Sequence, residues 1–313
     1  MLESKILCAD ALDGLRTLPD GCISMCVTSP PYYGLRDYGV ANQIGTEPTP
    51  AAYIERLVAV FREVRRVLRD DGTLWVNIAD SYAGSGKIVS SQLPHVRDCI
   101  KPKDMIGIPW LLAFALRADG WFLRSDIIWN KINCLPESVR DRPTKSYEHI
   151  FLLAKSSHYY YDAEAIKEPI TESSRVRYQR RRSGKNKYGE FSGDKGINGS
   201  DYTEKMRGKT TRNKRDIWSI STNSYRMGGH FAMFPEKLVE PCVLAGCPTG
   251  GIVLDPFFGS GTTGAVAKRL GRRYVGIDIN PEYCRMAQGR IDPVADTQEG
   301  APIDQQCKKP GDL

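Results

Sequence analysis

The sequence predicts a doubly wound α/β fold, with a mostly parallel sheet and one inserted region. Apolar segments with strand character alternate with segments of helical periodicity along much of the 313 residues. Near the carboxyl end, an apolar strand runs into a glycine-rich turn and then a helix, a junction typical of such sheets. Residues 157–225 change character and become strongly basic. With 41% hydrophobic residues, the chain can bury the core of one large domain.

The first segment of interest is a short strand followed by a proline-rich turn. Residues 22–27 are apolar and alternating, and residues 28–32 read Thr-Ser-Pro-Pro-Tyr. Two successive prolines cannot donate to a sheet ladder and fix their own φ, so the chain leaves the strand in one stiff shape. The Ser29 hydroxyl, the Ser29 and Pro30 carbonyls and the Tyr32 ring suit a planar ligand that carries an amino group. The alternative is a plain strand-ending turn.

The second segment is the glycine-rich junction at residues 252–267. Gly259, Gly261 and Gly264 have the spacing G-x-G-x-x-G, between an apolar strand and a helix. Asp278 closes the next strand, 19 residues after the first glycine, where a carboxylate can hold ribose hydroxyls. Taken alone, this pattern indicates a nucleotide cofactor of unspecified kind, NAD included, and a purely structural turn is the alternative.

Together the two segments resemble the amino-group DNA methyltransferases, which modify N4 of cytosine or N6 of adenine. Residues 255–264, Asp-Pro-Phe-Phe-Gly-Ser-Gly-Thr-Thr-Gly, are similar to the S-adenosylmethionine loop of that family, and residues 28–32 to its catalytic motif. The catalytic motif precedes the cofactor loop, which is the permuted beta order of the family. The resemblance covers most of residues 1–156 and 226–291. It implies the seven-stranded type of sheet of the S-adenosylmethionine-dependent methyltransferases.

The resemblance also implies roles for individual residues. Asp10 would lie near the adenine of the cofactor, although it is also suited to cap the helix that follows, and both can hold. His149 is interpreted as a structural histidine of a strand. Phe234 is a further candidate for the cofactor pocket, with ordinary packing as its rival. No metal is required. The implied catalytic residues are Ser29, Pro30, Pro31 and Tyr32, and the implied cofactor-binding residues are Asp10, Asp255, Pro256, Phe257, Gly259, Gly261, Thr262, Asp278, His230 and Phe231.

Periodicity predicts the remaining elements in order. Strands are expected at residues 4–10, 73–78, 121–130, 147–154, 216–220 and 273–277. Helices are expected at residues 12–18, 53–68, 106–118, 236–245 and 280–290.

The positive charge of the chain is concentrated in the inserted region. Residues 175–215 hold fourteen basic and four acidic residues, a net charge of +10 against +7 for the whole chain. The alternative interpretation of this charge is a solvated, disordered loop. Beside the resemblance above, neutralisation of DNA phosphates explains the concentration better, so we expect a target-recognition region for double-stranded DNA. The candidate DNA-binding residues are Arg36, Arg180, Arg181, Arg182, Lys185, Lys187, Arg212, Lys214 and Arg215.

The expected organisation has four parts. Residues 1–156 form the catalytic half, residues 157–225 the basic insert, residues 226–291 the cofactor half and residues 292–313 a polar tail. The nine cysteines are odd in number and scattered, and no secretory signal or bilayer-spanning run is seen. We therefore expect a cytoplasmic protein without membrane association, and the resemblance implies a prokaryotic or phage-encoded one. A homodimer and a cognate restriction endonuclease stay open as partners.

The expected reaction is methyl transfer from S-adenosylmethionine to a base amino group that has been flipped out of the duplex. In the resembling family, serine before Pro-Pro goes more often with cytosine N4, so we favour cytosine, and adenine N6 is the alternative. An NAD oxidoreductase would share the glycine pattern but gives no role to residues 28–32. A non-catalytic DNA-binding protein would share only the basic insert. A methyltransferase acting on RNA or protein glutamine is a further alternative.

Overall fold

An eight-stranded sheet forms the centre of the structure, and helices pack on both of its faces. The computed structural model describes residues 2–35, 39–40, 42–83, 100–179, 208–222 and 234–292. In this part of the chain the strands are β1 (Lys5–Cys8), β2 (Ile23–Thr28), β3 (Leu68–Ile78), β4 (Phe122–Asn130), β5 (Tyr147–Ala154), β6 (Glu168–Pro169), β7 (Thr211–Arg212), β8 (Ile217–Ser219), β9 (Ile252–Asp255) and β10 (Arg273–Asp278). The helices are α1 (Ala11–Arg16), α2 (Pro50–Val67), α3 (Ile108–Ala118), α4 (Glu172–Gln179), α5 (Glu236–Gly246), α6 (Thr262–Arg269) and α7 (Pro281–Ile291).

The strand order of the main sheet is β1-β10-β9-β2-β3-β5-β4-β8. Five of the seven neighbouring pairs are parallel, and only the pairs that β5 makes with β3 and β4 are antiparallel. From β2 the chain adds β3 on one side, and from β9 it adds β10 on the other side. The predicted doubly wound, mostly parallel sheet is confirmed. The three-residue strand β8 adds an eighth strand to the seven-stranded type that the sequence indicates.

Two apolar layers cover the two faces of the sheet. Helices α1, α2 and α3 pack on one face, and α5, α6 and α7 on the other. Within β3, Leu74 and Val76 belong to the first layer while Trp75 belongs to the second, because successive side chains of a strand point to opposite faces. On α2, the fully buried Leu57, Phe61 and Val64 form the stripe that their helical spacing predicts.

The topology determines where a ligand can bind. Strands β9 and β2 are neighbours, and the connections leave them in opposite directions, which makes this pair the topological switch point. In open α/β sheets, ligands bind in the crevice outside the carboxyl ends of the strands at that point. The proline-rich turn follows β2 and the glycine-rich turn follows β9. The sequence order of the two halves is therefore compatible with one shared crevice.

The described part of residues 157–225 contains three short structures besides β8. Strands β6 and β7 form a separate antiparallel pair, and α4 precedes the residues outside the described part. Helix α4 was not predicted, because Glu172–Gln179 is polar and lacks a consistent apolar stripe. Strand β8 lies in the predicted insert but pairs with β4 in the main sheet. Among the described residues, no helix has the length and apolar character needed to cross a bilayer.

Candidate active site

A cleft opens at the switch point and contains residues from both motifs. Ser29 and Pro31 from the proline-rich turn line the same walls as Phe257 and Gly259 from the glycine-rich turn. The first and last thirds of the chain therefore meet in one crevice. The other lining residues are Asp10, Ala11, Gln43, Ile44, Phe234, Pro256, Phe258, Ser260, Thr262, Asp278, Ile279, Asn280 and Tyr283.

Asp255 fastens the two motifs to each other from behind the cleft wall. Its side chain is 1% exposed and accepts hydrogen bonds from the hydroxyls of Thr28 and Thr263, each at 2.6 Å, and from the Phe257 N–H at 3.1 Å. Burial raises the pKa of this carboxyl to about 6, although the three hydrogen bonds oppose the shift. Asp255 is not among the lining residues, so its contribution to the cleft is to hold β2, the glycine-rich turn and α6 in register.

The glycines of the turn each meet a different steric demand. Gly261 has φ +80° at the start of α6, and a Cβ there would lie 2.8 Å from the Cβ of Ala287. Gly264 admits the ring of Phe258, since a Cβ would lie 2.6 Å from its Cζ. Gly259 lines the cleft, and its N–H donates to Asp278 Oδ2 at 2.7 Å. The G-x-G-x-x-G spacing is thus explained by packing as well as by access to a ligand.

Two carboxylates, Asp10 and Asp278, line the cleft. Asp278 accepts N–H donors from Gly259 and from Asn280, the latter at 2.9 Å, and burial raises its pKa. Asp10 accepts the N–H of Leu12 at 2.8 Å and so caps α1, as the sequence predicted for it. Asp10 therefore caps α1 and lines the cleft at the same time.

The proline-rich turn is fixed by its neighbours. The hydroxyl of Tyr53 on α2 donates to the Pro31 carbonyl at 2.7 Å, and the ring of Tyr53 packs on that of Tyr33 with centroids 5.4 Å apart. Within the described residues, no hydrogen-bond donor reaches the Pro30 carbonyl. In this part of the chain the turn therefore presents the Pro30 carbonyl as an acceptor without a donor.

A buried hydrogen-bond network lies beneath the turn. The Ser29 hydroxyl donates to Tyr32 Oη at 3.4 Å, and the Tyr32 hydroxyl donates to Glu148 Oε2 at 2.6 Å. Asn77 Nδ2 also donates to Glu148 Oε2, at 3.0 Å, and Lys131 forms an ion pair with the other oxygen of Glu148. Burial, followed by the charge of Glu148, raises the pKa of Tyr32, so its hydroxyl stays protonated as a donor.

Sequence reasoning missed three members of this network, namely Asn77, Lys131 and Glu148. Asn77 lies near the cleft end of β3, Lys131 directly follows β4, and Glu148 lies at the start of β5. The antiparallel pairing of β5 with β3 and β4 brings the three residues together. A charged residue at the start of an otherwise apolar strand was the available signal for Glu148. The neighbouring His149 has contacts that fit the structural role expected of it. Its Nδ1 lies 2.9 Å from Asp126 Oδ1, and its ring stacks on that of Phe151.

A second missed element is the loop at residues 42–47. Glu47 is buried, accepts the Gly45 N–H at 2.8 Å and pairs with Arg56 on α2 at 2.8 Å. The Gly45 carbonyl accepts the Gly34 N–H at 2.8 Å, which ties this loop to the proline-rich turn. The loop supplies Gln43 and Ile44 to the cleft wall.

Several predicted site residues are placed away from the cleft wall or outside the described residues. Arg212 and Arg215 both donate to Glu168 Oε1 at 2.8 Å, and Lys214 lies over the ring of Trp218. Lys214 and Arg215 precede the amino end of β8, whereas the cleft follows the carboxyl ends of the parallel strands. The structure does not bring these three residues to the cleft. Arg36, Arg180, Arg181, Arg182, Lys185, Lys187, His230 and Phe231 lie outside the described residues.

The chain is similar to DNA methylases in sequence. Residues 23–289 match the N6/N4 methyltransferase family, described as DNA methylase. The chain is 48% identical to the type II methyltransferase M.SmaI of Serratia marcescens, with 92% of this chain and 90% of the relative covered. It is 46% identical to the type II methyltransferase M.Cfr9I of Citrobacter freundii, with 90% of this chain and 85% of the relative covered.

The fold is similar to those of solved DNA methyltransferases. The cytosine-N4-specific PvuII DNA methyltransferase has a TM-score of 0.64 at 18% identity, with 94% of this chain and 89% of that chain covered. The complex of M1.HpyAVI with SAM has a TM-score of 0.54 at 17% identity, with 92% of this chain and 98% of that chain covered. At these identities the likeness concerns the fold alone.

Proposed function

Because the chain belongs to the N6/N4 DNA methylase family, we propose that it methylates the N4 amino group of a cytosine at a specific site in double-stranded DNA. The family uses S-adenosyl-L-methionine as methyl donor. The observation that carries the proposal is the shared cleft, in which Ser29 and Pro31 line the same space as Phe257 and Asp278. A single crevice thus offers a cofactor wall on one side and a stiff turn with amino-group acceptors on the other.

The chemistry of the cleft wall fits the cofactor. The carboxylates of Asp10 and Asp278 complement hydroxyl groups and positive charge, while Phe257 and Tyr283 provide apolar contact for a flat ring. When bound, S-adenosyl-L-methionine supplies an electrophilic methyl group. We assign direct contact to Asp10, Pro256, Phe257, Gly259, Thr262 and Asp278, and a shaping role to Asp255 and Gly261.

At the target base, the protein has to make a weak nucleophile reactive. The lone pair of a base amino group is delocalised into the ring, and hydrogen-bond acceptors on its N–H groups help the nitrogen to pyramidalise. The Ser29 hydroxyl gives its own hydrogen to Tyr32, and Tyr32 gives its hydrogen to Glu148. Both lone pairs of Ser29 Oγ, together with the Pro30 carbonyl, are then available for the amino hydrogens. In this proposal the Tyr32 ring stacks on the extruded base.

Cytosine is preferred to adenine because a serine precedes Pro-Pro in residues 28–32, the pattern that in the resembling family goes more often with cytosine N4. Adenine N6 is the second candidate, since the matched family includes both activities.

The basic insert is assigned to the DNA. The net charge of +10 over residues 175–215 suits phosphate neutralisation. Because the matched relatives are bacterial type II methyltransferases, we extend the proposal to a bacterial cytoplasm and a cognate endonuclease of the same specificity. A homodimer remains a prediction that sedimentation of the purified protein tests.

The test of the proposed function is product identification. The purified protein is incubated with S-adenosyl-L-methionine carrying a labelled methyl group and with genomic DNA that lacks modification. The DNA is digested to nucleosides, the labelled nucleoside is identified, and the modified sites are mapped by sequencing. N4-methylcytosine at one recurrent sequence is expected. Label in N6-methyladenine would establish the second candidate, and unlabelled DNA with label in RNA or protein would overturn the proposal.

Binding and label-transfer experiments distinguish the proposed function from two other functions. A nicotinamide-dependent oxidoreductase would bind NAD and not S-adenosyl-L-methionine. A non-catalytic DNA-binding protein would bind DNA and transfer no label, and a Ser29→Ala variant would then behave like the wild type. The proposed function requires cofactor binding, label transfer and a loss of transfer in that variant.

A further inference from the structure

We propose that residues 131–146, the β4–β5 loop, insert Leu135 into the DNA duplex at the position that the target base leaves. The inference rests on the proposed function, because only a base that is extruded leaves a space to fill. It adds an interaction surface and a residue with a specific task to the active site described above.

The β4–β5 loop begins and ends beside the active site. Its flanking residues Asn130 and Tyr147 pair in the sheet, and the Lys131 N–H donates to the Ser146 carbonyl at 2.7 Å. The Lys131 side chain forms the ion pair with Glu148, which in turn accepts the Tyr32 hydroxyl. The loop therefore rises from the same edge of the sheet as the proline-rich turn.

The loop exposes apolar side chains that the fold does not bury. Leu135 is 84% exposed, the highest value among the large hydrophobic side chains of the described residues, and Ile132 is 64% exposed. Val139 is also exposed. A single exposed apolar residue is ordinary, but three within eight positions at the edge of an active site mark a surface that a partner covers.

The loop is held in shape on both sides of Leu135. On one side, Asn133 Oδ1 accepts the Thr222 N–H at 2.7 Å, and Asn133 Nδ2 donates to the Thr222 carbonyl at 3.2 Å. On the other side, Glu137 accepts from Arg142 at 2.6 Å and from the Lys145 N–H at 3.2 Å.

The covalent structure and a ring contact add to this rigidity. Pro136 fixes its own φ and restricts Leu135 to extended conformations. The Arg142 guanidinium lies over the Tyr82 ring, 4.0 Å from its centroid. An apolar side chain on an ordered loop can enter the duplex with little further loss of conformational entropy.

The charge of the loop selects DNA as the occupant. The loop contains four basic and two acidic residues, a net charge of +2. Lys131 and Arg142 are paired with Glu148 and Glu137, and Lys145 donates to the Asp80 carbonyl, so the exposed Arg140 is the cation best placed to reach a phosphate. An apolar tip surrounded by net positive charge matches the proteins that place a leucine or similar side chain between base steps while their cations contact phosphates. A protein partner would have to cover this positively charged loop without the regular negative charge that DNA phosphates provide.

The physical task of Leu135 would be to stabilise the opened duplex. Extrusion of a base removes its stacking and pairing, and this free energy is least for a base that has no pairing partner. A side chain that fills the vacated space offsets part of the cost. Its removal should therefore slow methylation of a paired target and have little effect on an unpaired one.

The experiment compares Leu135→Ala with the wild type in single-turnover methylation of two duplexes that carry the mapped site. In one duplex the target base is paired, and in the other it faces an abasic position. For the paired target we expect the variant to be slower by about tenfold, and for the unpaired target the two proteins should agree within about twofold. Leu135→Met, which keeps the apolar volume, should retain most of the wild-type rate on both duplexes.

Phe122→Ala is the matched control. Phe122 is 44% exposed at the opposite end of β4, so its truncation should leave the ratio between the two duplexes unchanged. Equal rates for Leu135→Ala and the wild type on the paired duplex would overturn the proposal. A uniform loss on both duplexes would also overturn it, as would an altered oligomeric state with unaltered rates, which would indicate a protein contact. If the wild type methylates neither duplex, the proposed function itself fails.

Discussion

The hydroxyl of Tyr32 lies 2.6 Å from Oε2 of Glu148, although the two residues are 116 positions apart in the chain. This contact gives the proline-rich turn a fixed hydrogen-bond direction, because a carboxylate can only accept and Tyr32 must therefore donate. The Tyr32 oxygen is then left to accept from Ser29. The acceptor role that we assign to Ser29 therefore depends on Glu148, which lies on β5.

Removal of the Tyr32 hydroxyl should slow methylation without loss of binding. In Tyr32→Phe the ring is kept, but Ser29 loses the oxygen that accepts its hydrogen. We expect the single-turnover rate to fall by about tenfold to a hundredfold, with cofactor and DNA dissociation constants within about twofold of wild type. Tyr159→Phe, which removes a hydroxyl bonded to Arg124, is the control and should be fully active. A wild-type rate in Tyr32→Phe would contradict the assigned direction.

Loss of the buried charge at Glu148 should destabilise the fold. Glu148 is buried and pairs with Lys131, so Glu148→Gln leaves an ammonium group without its counter-charge. We expect the free energy of unfolding in urea to drop by about 3 kcal/mol. Lys131→Met in the same protein should recover a large part of that loss, because no unpaired charge then remains. Additive losses in the double variant would show that the ion pair does not couple the two residues.

The stability of the protein should depend on Asp255 in acid. Burial raises the pKa of this carboxyl from 3.8 to about 6, so the folded protein binds a proton more tightly than the unfolded chain. The contribution of Asp255 to stability should therefore decrease as the pH rises from about 4 to about 6, by on the order of 3 kcal/mol.

Asp255→Asn provides the comparison for this pH dependence. The residue at 255 no longer titrates, so the free energy of unfolding of the wild type minus that of the variant should decrease through this window and become constant above about pH 7. Chemical denaturation at several pH values measures the difference. A difference that stays constant from about pH 4 to about pH 7 would contradict the raised pKa.

A methyl group at Gly276 should disturb the cofactor wall. A Cβ at this position on β10 would lie 2.3 Å from Cγ of Phe258, which lines the cleft. We expect Gly276→Ala to lower stability by about 1–3 kcal/mol and to weaken S-adenosyl-L-methionine binding in calorimetry. Gly289 on α7 is the matched control, because nothing lies within 4 Å of its added Cβ. Gly289→Ala should stabilise the protein by about 0.5–1 kcal/mol and leave binding unchanged, and equal effects of the two substitutions would contradict the packing argument.

The sequence was sufficient for those parts of the fold that depend on local patterns. The helical stripe of Leu57, Phe61 and Val64 and the apolar strand at β9 were readable because their periodicity is set by burial on one side or both. The resemblance assigned the two motifs to one reaction, and the hydrogen bond between Thr28 and Asp255, which was not predicted, shows how the fold joins them.

The parts that the sequence did not provide depend on contacts between distant strands. Asn77 reaches Glu148 only because β5 runs antiparallel to β3, and no local sequence pattern predicts the register of these two strands. Arg56 holds the loop at residues 42–47 through its ion pair with Glu47 and through hydrogen bonds to the carbonyls of Asn42 and Gln43, contacts that composition does not predict. The placement of Arg212 and Arg215 on Glu168 depends likewise on the pairing of β6 with β7.

The most direct test of the central claim is a paired measurement on Ser29→Ala. S-adenosyl-L-methionine binding is measured by calorimetry, and label transfer to DNA carrying the mapped site is measured under single turnover. We predict that the cofactor dissociation constant stays within about twofold of the wild type while transfer falls by at least about a hundredfold, because the variant lacks the side-chain acceptor for the amino group and keeps the glycine-rich turn. Transfer at the wild-type rate would contradict the account of the cleft as one site for cofactor and target base.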